Sequence, residues 1–297
     1  MRKFTRRRFN QFVGASGVMA ATSISFLTIL KTKSPKIVVV GGGFGGATAA
    51  KYLKRFNPSL HVTLVEPKRS YSTCPFSNTV IAGMNDMSFI TQSYDAIRRD
   101  GVNVVHDIAM DIDATNKQVT LSNGENLTFD RCVVSPGIDF KFDSIEGNSA
   151  AITQKIPHAW KAGAQTLLLR KQLMGMPDGG VFLISPPPNP FRCPPGPAER
   201  ISLVADYFRK YKPKSKIIAL DPKKKFGKES LFKEGWKKLY PGMIEYRNIE
   251  EDGVVREVVA DKMMLVTEFD KVNGDVINLI PAQKAGAGHV LPRSPDK

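Results

Sequence analysis

Two sets of residues in this chain could do chemistry: a run of glycines closed by an acid, and three cysteines. Gly41, Gly43 and Gly46 stand in G-x-G-x-x-G spacing within "GGGFGGATAAKYLKRF", and Glu66 follows twenty residues after Gly46. In such a motif the first glycine permits a tight turn and the second lets the backbone approach a pyrophosphate. The third lets a helix pack closely on a strand. The amides and dipole at the start of the helix then face the phosphate. A carboxylate at Glu66 accepts hydrogen bonds from the adenosine ribose hydroxyls and disfavours a 2′-phosphate. The pattern points to a bound dinucleotide, with FAD and NAD both open at this stage.

The cysteines are Cys74, Cys132 and Cys193. Cys74 lies in "YSTCPFSNTVIAG", shortly beyond Glu66, and four readings are open: core filler, half of a disulfide, a metal ligand, or a point of covalent cofactor attachment. The chain has no Cys-x-x-Cys and only four dispersed histidines, so no metal site is expected. Cys132, in the apolar run "RCVVS", reads as a buried free thiol that a central strand keeps away from Cys193. Cys193 sits between Pro190 and Pro194-Pro195 in a rigid loop. Three readings stand for it: a redox thiol beside the cofactor, an inert loop thiol, or half of a disulfide whose partner is absent.

The elements that must position these residues follow from apolar runs. "KIVVV" (36–40) reads as a buried parallel strand and Ala47 to Phe56 as a helix. "HVTLVE" reads as a second strand that ends in Glu66. "FDRCVVSPGIDF" (129–140) is a strand running into Ser-Pro-Gly. It resembles the segment by which two-dinucleotide flavoproteins return to their FAD domain, which makes Pro136 and Gly137 candidate cofactor contacts. The alternative is a strand ending in an ordinary Pro-Gly turn. Val181 to Ser185, a helix over Ala198 to Lys210 and "KIIALD" (216–221) repeat the strand–helix–strand order. The expected fold class is therefore α/β, with two Rossmann-like dinucleotide-binding domains of the disulfide-reductase type. In the second unit the loop has Pro186 to Pro188, Pro190, Pro194 and Pro195 where glycines would bind a nucleotide. Proline gives no amide hydrogen and blocks close approach, so no NAD(P)H is expected there. Electrons would then reach a flavin from another donor.

With 297 residues, 42% hydrophobic and 24% charged, the chain is composed like a globular protein of one large or two ordinary domains. Its formal charge is +15, but Arg2, Lys3, Arg6, Arg7 and Arg8 crowd the first ten positions. The remaining basic residues are scattered and no basic helix interleaved with aromatics occurs, so nucleic acid is not an expected partner. "TRRRF" is followed by an uncharged, mildly apolar stretch from Gly14 to Leu30. That layout predicts a twin-arginine export signal over 1–33 and a periplasmic location. A retained membrane anchor is the alternative.

"YSTCPFSNTVIAG", "VVHD", "DRCVVSPGI", "PHAWKAG", "LRKQL", "PFRCPPGPAER" and "DVINLIP" together resemble the flavoprotein subunit of flavocytochrome c sulfide dehydrogenase, over about residues 34–286. The resemblance implies FAD, with Gly41, Gly43, Gly46 and Glu66 holding its ADP part. It implies a thioether from Cys74 to the 8α-methyl of the isoalloxazine. It also implies Cys193 as the catalytic, redox-active thiol, sulfide as donor, and a cytochrome c subunit as acceptor in a heterodimer. The domains it implies are a first part of the FAD-binding domain over 34–146, a second Rossmann-like domain over 147–275, and a return over 276–297. The family's chain continues further, with a Gly-Asp pair at the flavin, the partner cysteine of a disulfide, and an interface domain. The departure at "AGHVLPRSPDK" raises the expectation of a truncated or split chain. A sulfide:quinone oxidoreductase and an inactive FAD-binding fragment are the competing readings.

Overall fold

Lys36–Val40 (β1) opens the computed structural model, which describes residues 34–286. Its aliphatic side chains alternate between two faces and both are covered. Ile37 and Val39 pack with Ala50 of the helix Phe44–Phe56 (α1) and with Val62 and Leu64 of His61–Val65 (β2). Val38 and Val40 pack with Val65 on the other face, against the antiparallel strands Ala109–Asp113, Gln118–Leu121 and Asn126–Thr128. Burial on both faces explains a run without polar alternation, as a parallel strand requires. Beyond β2 the chain forms the short helix Ser77–Ile81 (α2), then the strands Asn103–Val105 (β3) and Arg131–Val134 (β4). The first sheet is parallel, in the order β3-β2-β1-β4.

The strand read as running into Ser-Pro-Gly ends at Val134, and a second strand follows that turn. Beyond β4, Gly137 adopts φ +73°, and Ile138–Lys141 (β5) leaves the first sheet to pair antiparallel with Ala282–Ala285 (β10). Cys132 is therefore not in a central strand. Among the described residues β4 pairs only with β1 and forms an edge, and Cys132 is half-buried. That partial burial still pushes its thiol pKa up to about 11.

The second half repeats the arrangement. Ala164–Gly175 (α3) leads to Val181–Ser185 (β6), Gly196–Tyr211 (α4), Lys216–Leu220 (β7), Glu229–Leu239 (α5) and Ile244–Arg247 (β8). Val276–Leu279 (β9) closes a parallel sheet of order β8-β7-β6-β9. Phe182 and Ile184 face α3 and α4 through Leu169, Leu173, Ile201 and Phe208. Leu183 and Ile277 face the antiparallel strands Glu257–Val259, Met264–Val266 and Lys271–Asn273. Residues 276–279, read from sequence as part of the return, pair with β6 and so lie in the second sheet, and β10 carries the return. Two helix starts also move: α1 begins at Phe44 and α4 at Gly196. α1 gains three residues and α4 two at its start, in glycine-containing stretches. The export segment 1–33 and the chain end 287–297 lie outside the described residues.

Candidate functional site

A cleft of about 750 Å³ opens at the carboxyl end of the first sheet, where open α/β sheets bind ligands. Gly41 and Gly43 line it on one side, Glu66 to Cys74 on a second, and Ser135 to Ile138 on a third. Gly41 has φ +96°, and a Cβ there would strike the carbonyl oxygen of Ser135. Gly46 lies outside the lining, buried in α1, where a Cβ would strike the carbonyl oxygen of Gly41. Its role is packing, as the motif predicts. Glu66 accepts from the backbone N of Gly42 at 2.8 Å and of Lys68 at 3.0 Å, which ties the glycine turn to the end of β2. Tyr94 secures the same turn by donating to the Gly42 carbonyl at 2.9 Å.

No acidic residue occupies the first turn of α1, so its amino end faces the cleft without an internal counter-charge. Lys68, Arg69, Lys161 and Arg192 also line the cleft, and Glu66 is the carboxylate among the lining residues. A glycine cradle, a bare helix amino end, surplus positive charge and this volume fit a dinucleotide with its pyrophosphate. The lining includes six of the seven residues predicted to contact the cofactor: Gly41, Gly43, Glu66, Cys74, Pro136 and Gly137.

Cys74 lines the cleft and is half-buried. Its thiol donates to the Trp160 carbonyl at 3.3 Å and accepts from Arg192 Nη2 at 2.9 Å. Arg192 also donates to the Trp160 carbonyl, and its backbone N donates to Gln283 Oε1 of β10 at 3.0 Å. Arg192 precedes Cys193, so the proline loop of the second half reaches into the cleft of the first. Cys193 itself adopts φ +61°, in the left-handed region that few non-glycine residues occupy. A Cβ on Gly196 would lie 2.7 Å from Trp160 Cη2 and 3.2 Å from Cys193 Sγ, so the sulfur and the indole share the space this glycine leaves. Cys193 reaches solvent, yet partial burial, and secondarily the Glu199 carboxylate, hold its pKa above the usual thiol value. The indole Nε1 of Trp160 is buried without a hydrogen-bond partner.

A polar knot supports this meeting point. Arg200 is 1% exposed and donates to Asn78 Oδ1 (2.9 Å), Asn278 Oδ1 (2.8 Å), the Ala159 carbonyl (2.6 Å) and the His158 carbonyl (3.2 Å). None of these acceptors is a carboxylate. Burial pulls the Arg200 pKa down to about 10, so the group stays charged at neutral pH. Its guanidinium carbon lies 5.1 Å from the Trp160 ring centroid. His158, 6% exposed, is held neutral: burial, and then the nearby Arg200, draw its pKa down to about 4. The sequence reading passed over Arg192, Arg200, Trp160 and Asn78. A signal was available, since both arginines flank Cys193 within "FRCPPGPAER" and Trp160 is one of two tryptophans.

Comparison with known proteins adds to this geometry. Residues 166–281, which include the Cys193 loop and β9, match the family described as the central part of the sulfide dehydrogenase [flavocytochrome c] flavoprotein chain. Over 45 residues the chain is 67% identical to that flavoprotein chain of Chlorobaculum thiosulfatiphilum, covering 94% of that sequence and 15% of this one. The chain belongs to the flavocytochrome c sulfide dehydrogenase flavoprotein family. Residues 35–171 match the pyridine nucleotide-disulphide oxidoreductases, so the two matched regions meet where the two halves join. Mouse mitochondrial sulfide:quinone oxidoreductase is 25% identical over 195 residues, 62% of this chain and 41% of that protein. Among solved structures, the sulfide:quinone oxidoreductase of Aquifex aeolicus superposes with a TM-score of 0.69 at 18% identity, covering 84% of this chain and 59% of that one. The chain thus spans well under two thirds of the length of these quinone-linked proteins. The structural likeness establishes the fold, with its two dinucleotide-binding domains.

Proposed function

We propose that this chain is the flavoprotein component of a sulfide dehydrogenase, which binds FAD in the 750 Å³ cleft and oxidises sulfide at Cys193. One observation carries the reading: Arg192, the neighbour of Cys193, bonds to the sulfur of Cys74 at 2.9 Å, so the loop that carries Cys193 abuts the cofactor cleft at Cys74. Gly41, Gly43 and α1 would hold the pyrophosphate, Glu66 the ribose, and Pro136-Gly137 the wall beside the ring. Cys74 is the candidate covalent anchor. Flavin supplies a two-electron acceptor that can discharge singly, as a haem requires. The chain's own part is to present a soft sulfur at Cys193, to exclude water with Trp160, and to hold positive charge nearby at Arg192 and Arg200. The acceptor proposed is a cytochrome c subunit, in a heterodimer.

Two further features support the reading. The proline loop offers few amide donors to a second nucleotide, which favours sulfide over NAD(P)H as the electron source. The basic amino-terminal opening, followed by an uncharged stretch, favours twin-arginine export to the periplasm, where a covalently held flavin would not be lost.

The test is direct. Protein purified with FAD is precipitated in acid; flavin absorbance should stay with the wild-type pellet and move to the supernatant for Cys74→Ala. Freely extractable wild-type flavin removes the covalent assignment. Sulfide-dependent reduction is then compared with cytochrome c and with a short-chain quinone. The similarity to the mouse quinone oxidoreductase makes the quinone the second candidate acceptor, and preferential quinone reduction would replace the cytochrome reading. FAD binding with neither reduction would mark an inactive flavin-binding chain.

A further inference from the structure

The carboxyl end of the second sheet holds a polar cluster that has no part in the flavin reading. Asp221 follows β7 as Glu66 follows β2. Glu66 faces an open cleft, whereas Asp221 is 2% exposed and the chain fills its oxygens. Lys223 Nζ lies 2.6 Å from Asp221 Oδ1, the Lys223 backbone N donates to the same oxygen at 3.0 Å, and the Tyr246 hydroxyl donates to Oδ2 at 2.7 Å. Lys223 Nζ also donates to the Pro187 carbonyl at 2.8 Å and stands 5.0 Å from the Phe191 ring centroid. The cavity left among these groups is about 10 Å³, the size of one water.

Pro187 and Phe191 belong to the loop that continues into Cys193. Phe191 packs against Phe140, Trp160 and Ile280, and Arg192 bonds to Cys74. A loop so rich in proline has few amides with which to fix its own shape. Cys193 nevertheless sits at φ +61°, a conformation that persists only where the surroundings impose it.

We propose that Lys223 is a positioning residue for Cys193: by joining Asp221 to the Pro187 carbonyl and to the face of Phe191, it fixes the proline loop so that the thiol stays against Trp160 and the amino end of α4. The crevice where a second dinucleotide would lie is occupied by the protein's own cation, which has become a brace for the reacting loop. The importance of Cys193 to turnover rests on the proposed function; the brace and its test do not.

The test uses the full chain and the rate of alkylation of each cysteine by iodoacetamide between pH 6 and 10, read by peptide mass spectrometry. In Lys223→Met the loop is released, Cys193 gains solvent, and its pH midpoint falls toward that of an ordinary thiol. Its labelling near neutral pH rises about fivefold, because a thiol freed from burial ionises more readily. Lys223→Arg keeps the ion pair and should stay close to wild type. Tyr246→Phe removes one bond to Asp221 and should give a rise of about twofold by the same reasoning. Cys132, in β4, reports on the fold and should label slowly throughout. A wild-type rate and midpoint at Cys193 in Lys223→Met, with Cys132 still protected, overturns the proposal. If that variant does not fold, an unchanged Cys193 profile in Tyr246→Phe overturns it equally. A shifted profile in a protein that oxidises no sulfide would uphold the brace and remove the proposed function.

Discussion

Replacing Arg200 by methionine removes one side chain that holds four segments together. Its guanidinium donates to α2 through Asn78, to β9 through Asn278, and to the loop before Trp160 through the His158 and Ala159 carbonyls. The His158 carbonyl keeps a second donor, Asn278 Nδ2 at 2.9 Å. The substitution therefore leaves three acceptors unmet: Asn78 Oδ1, Asn278 Oδ1 and the Ala159 carbonyl. At about 1–2 kcal/mol for each buried unmet group, the loss is roughly 3–6 kcal/mol. Relief from burying a charge offsets part of it, so the expected net cost is about 3 kcal/mol. Against a total stability of about 5–15 kcal/mol this is a large fraction. Urea unfolding followed by tryptophan fluorescence should show the midpoint lowered by about 1 M. Arg200→Lys should lose nearly as much, because an ammonium cannot match the planar fork that three separated acceptors require. A midpoint within about 0.2 M of wild type for Arg200→Met would refute the view that this knot holds the site together.

The buried neutral state of His158 gives stability a pH dependence with a definite sign. Its folded pKa is drawn down to about 4 from an ordinary 6.5, so in that interval the unfolded chain binds more protons. The favourable contribution is complete above pH 6.5 and is lost as pH falls toward 4, by up to about 3 kcal/mol. Unfolding free energies of wild type and His158→Asn, measured from pH 7.5 to 4, should converge on this account, and parallel curves would reject it. Gly46→Ala should push α1 off β1, because the obstacle is the backbone carbonyl of Gly41 and not a side chain that can rotate. The expected outcome is a loss of about 1–3 kcal/mol and FAD affinity reduced at least tenfold, read by flavin fluorescence titration; unchanged affinity would contradict the packing role.

The parts of this protein that were legible in its sequence are those governed by local rules. β1 and β6 are nearly continuous apolar runs covered on both faces, and the run itself reports that burial. Gly41 and Gly46 were readable because contacts with Ser135 and Gly41 forbid any side chain there. What escaped depends on residues far apart in the chain. Arg192 and Cys74 are 118 positions apart, and Arg200 and Asn78 are 122 apart. No periodicity marks such pairs. The strand that follows Ser-Pro-Gly escaped for a related reason: β5 takes its partner from β10, so its direction is fixed by a segment some 140 residues away. The burial of Asp221 was hidden as well, since only the fold brings Tyr246 to it.

The long reach of the Asn278 bonds sets an order of events during synthesis. Asn278 holds the Pro157 and His158 carbonyls and Arg200, and so fixes the turn that presents the Trp160 carbonyl to Cys74. Cys74 leaves the ribosome some two hundred residues before Asn278. At about 5–20 residues per second, the glycine cradle is available for roughly 10–40 s before the far wall of its cleft exists. A nucleotide arriving early would meet only half a site. Stable loading of the cofactor is thereby deferred until the second half has been made, so a nascent chain interrupted before residue 278 would carry the motif without retaining what the motif binds.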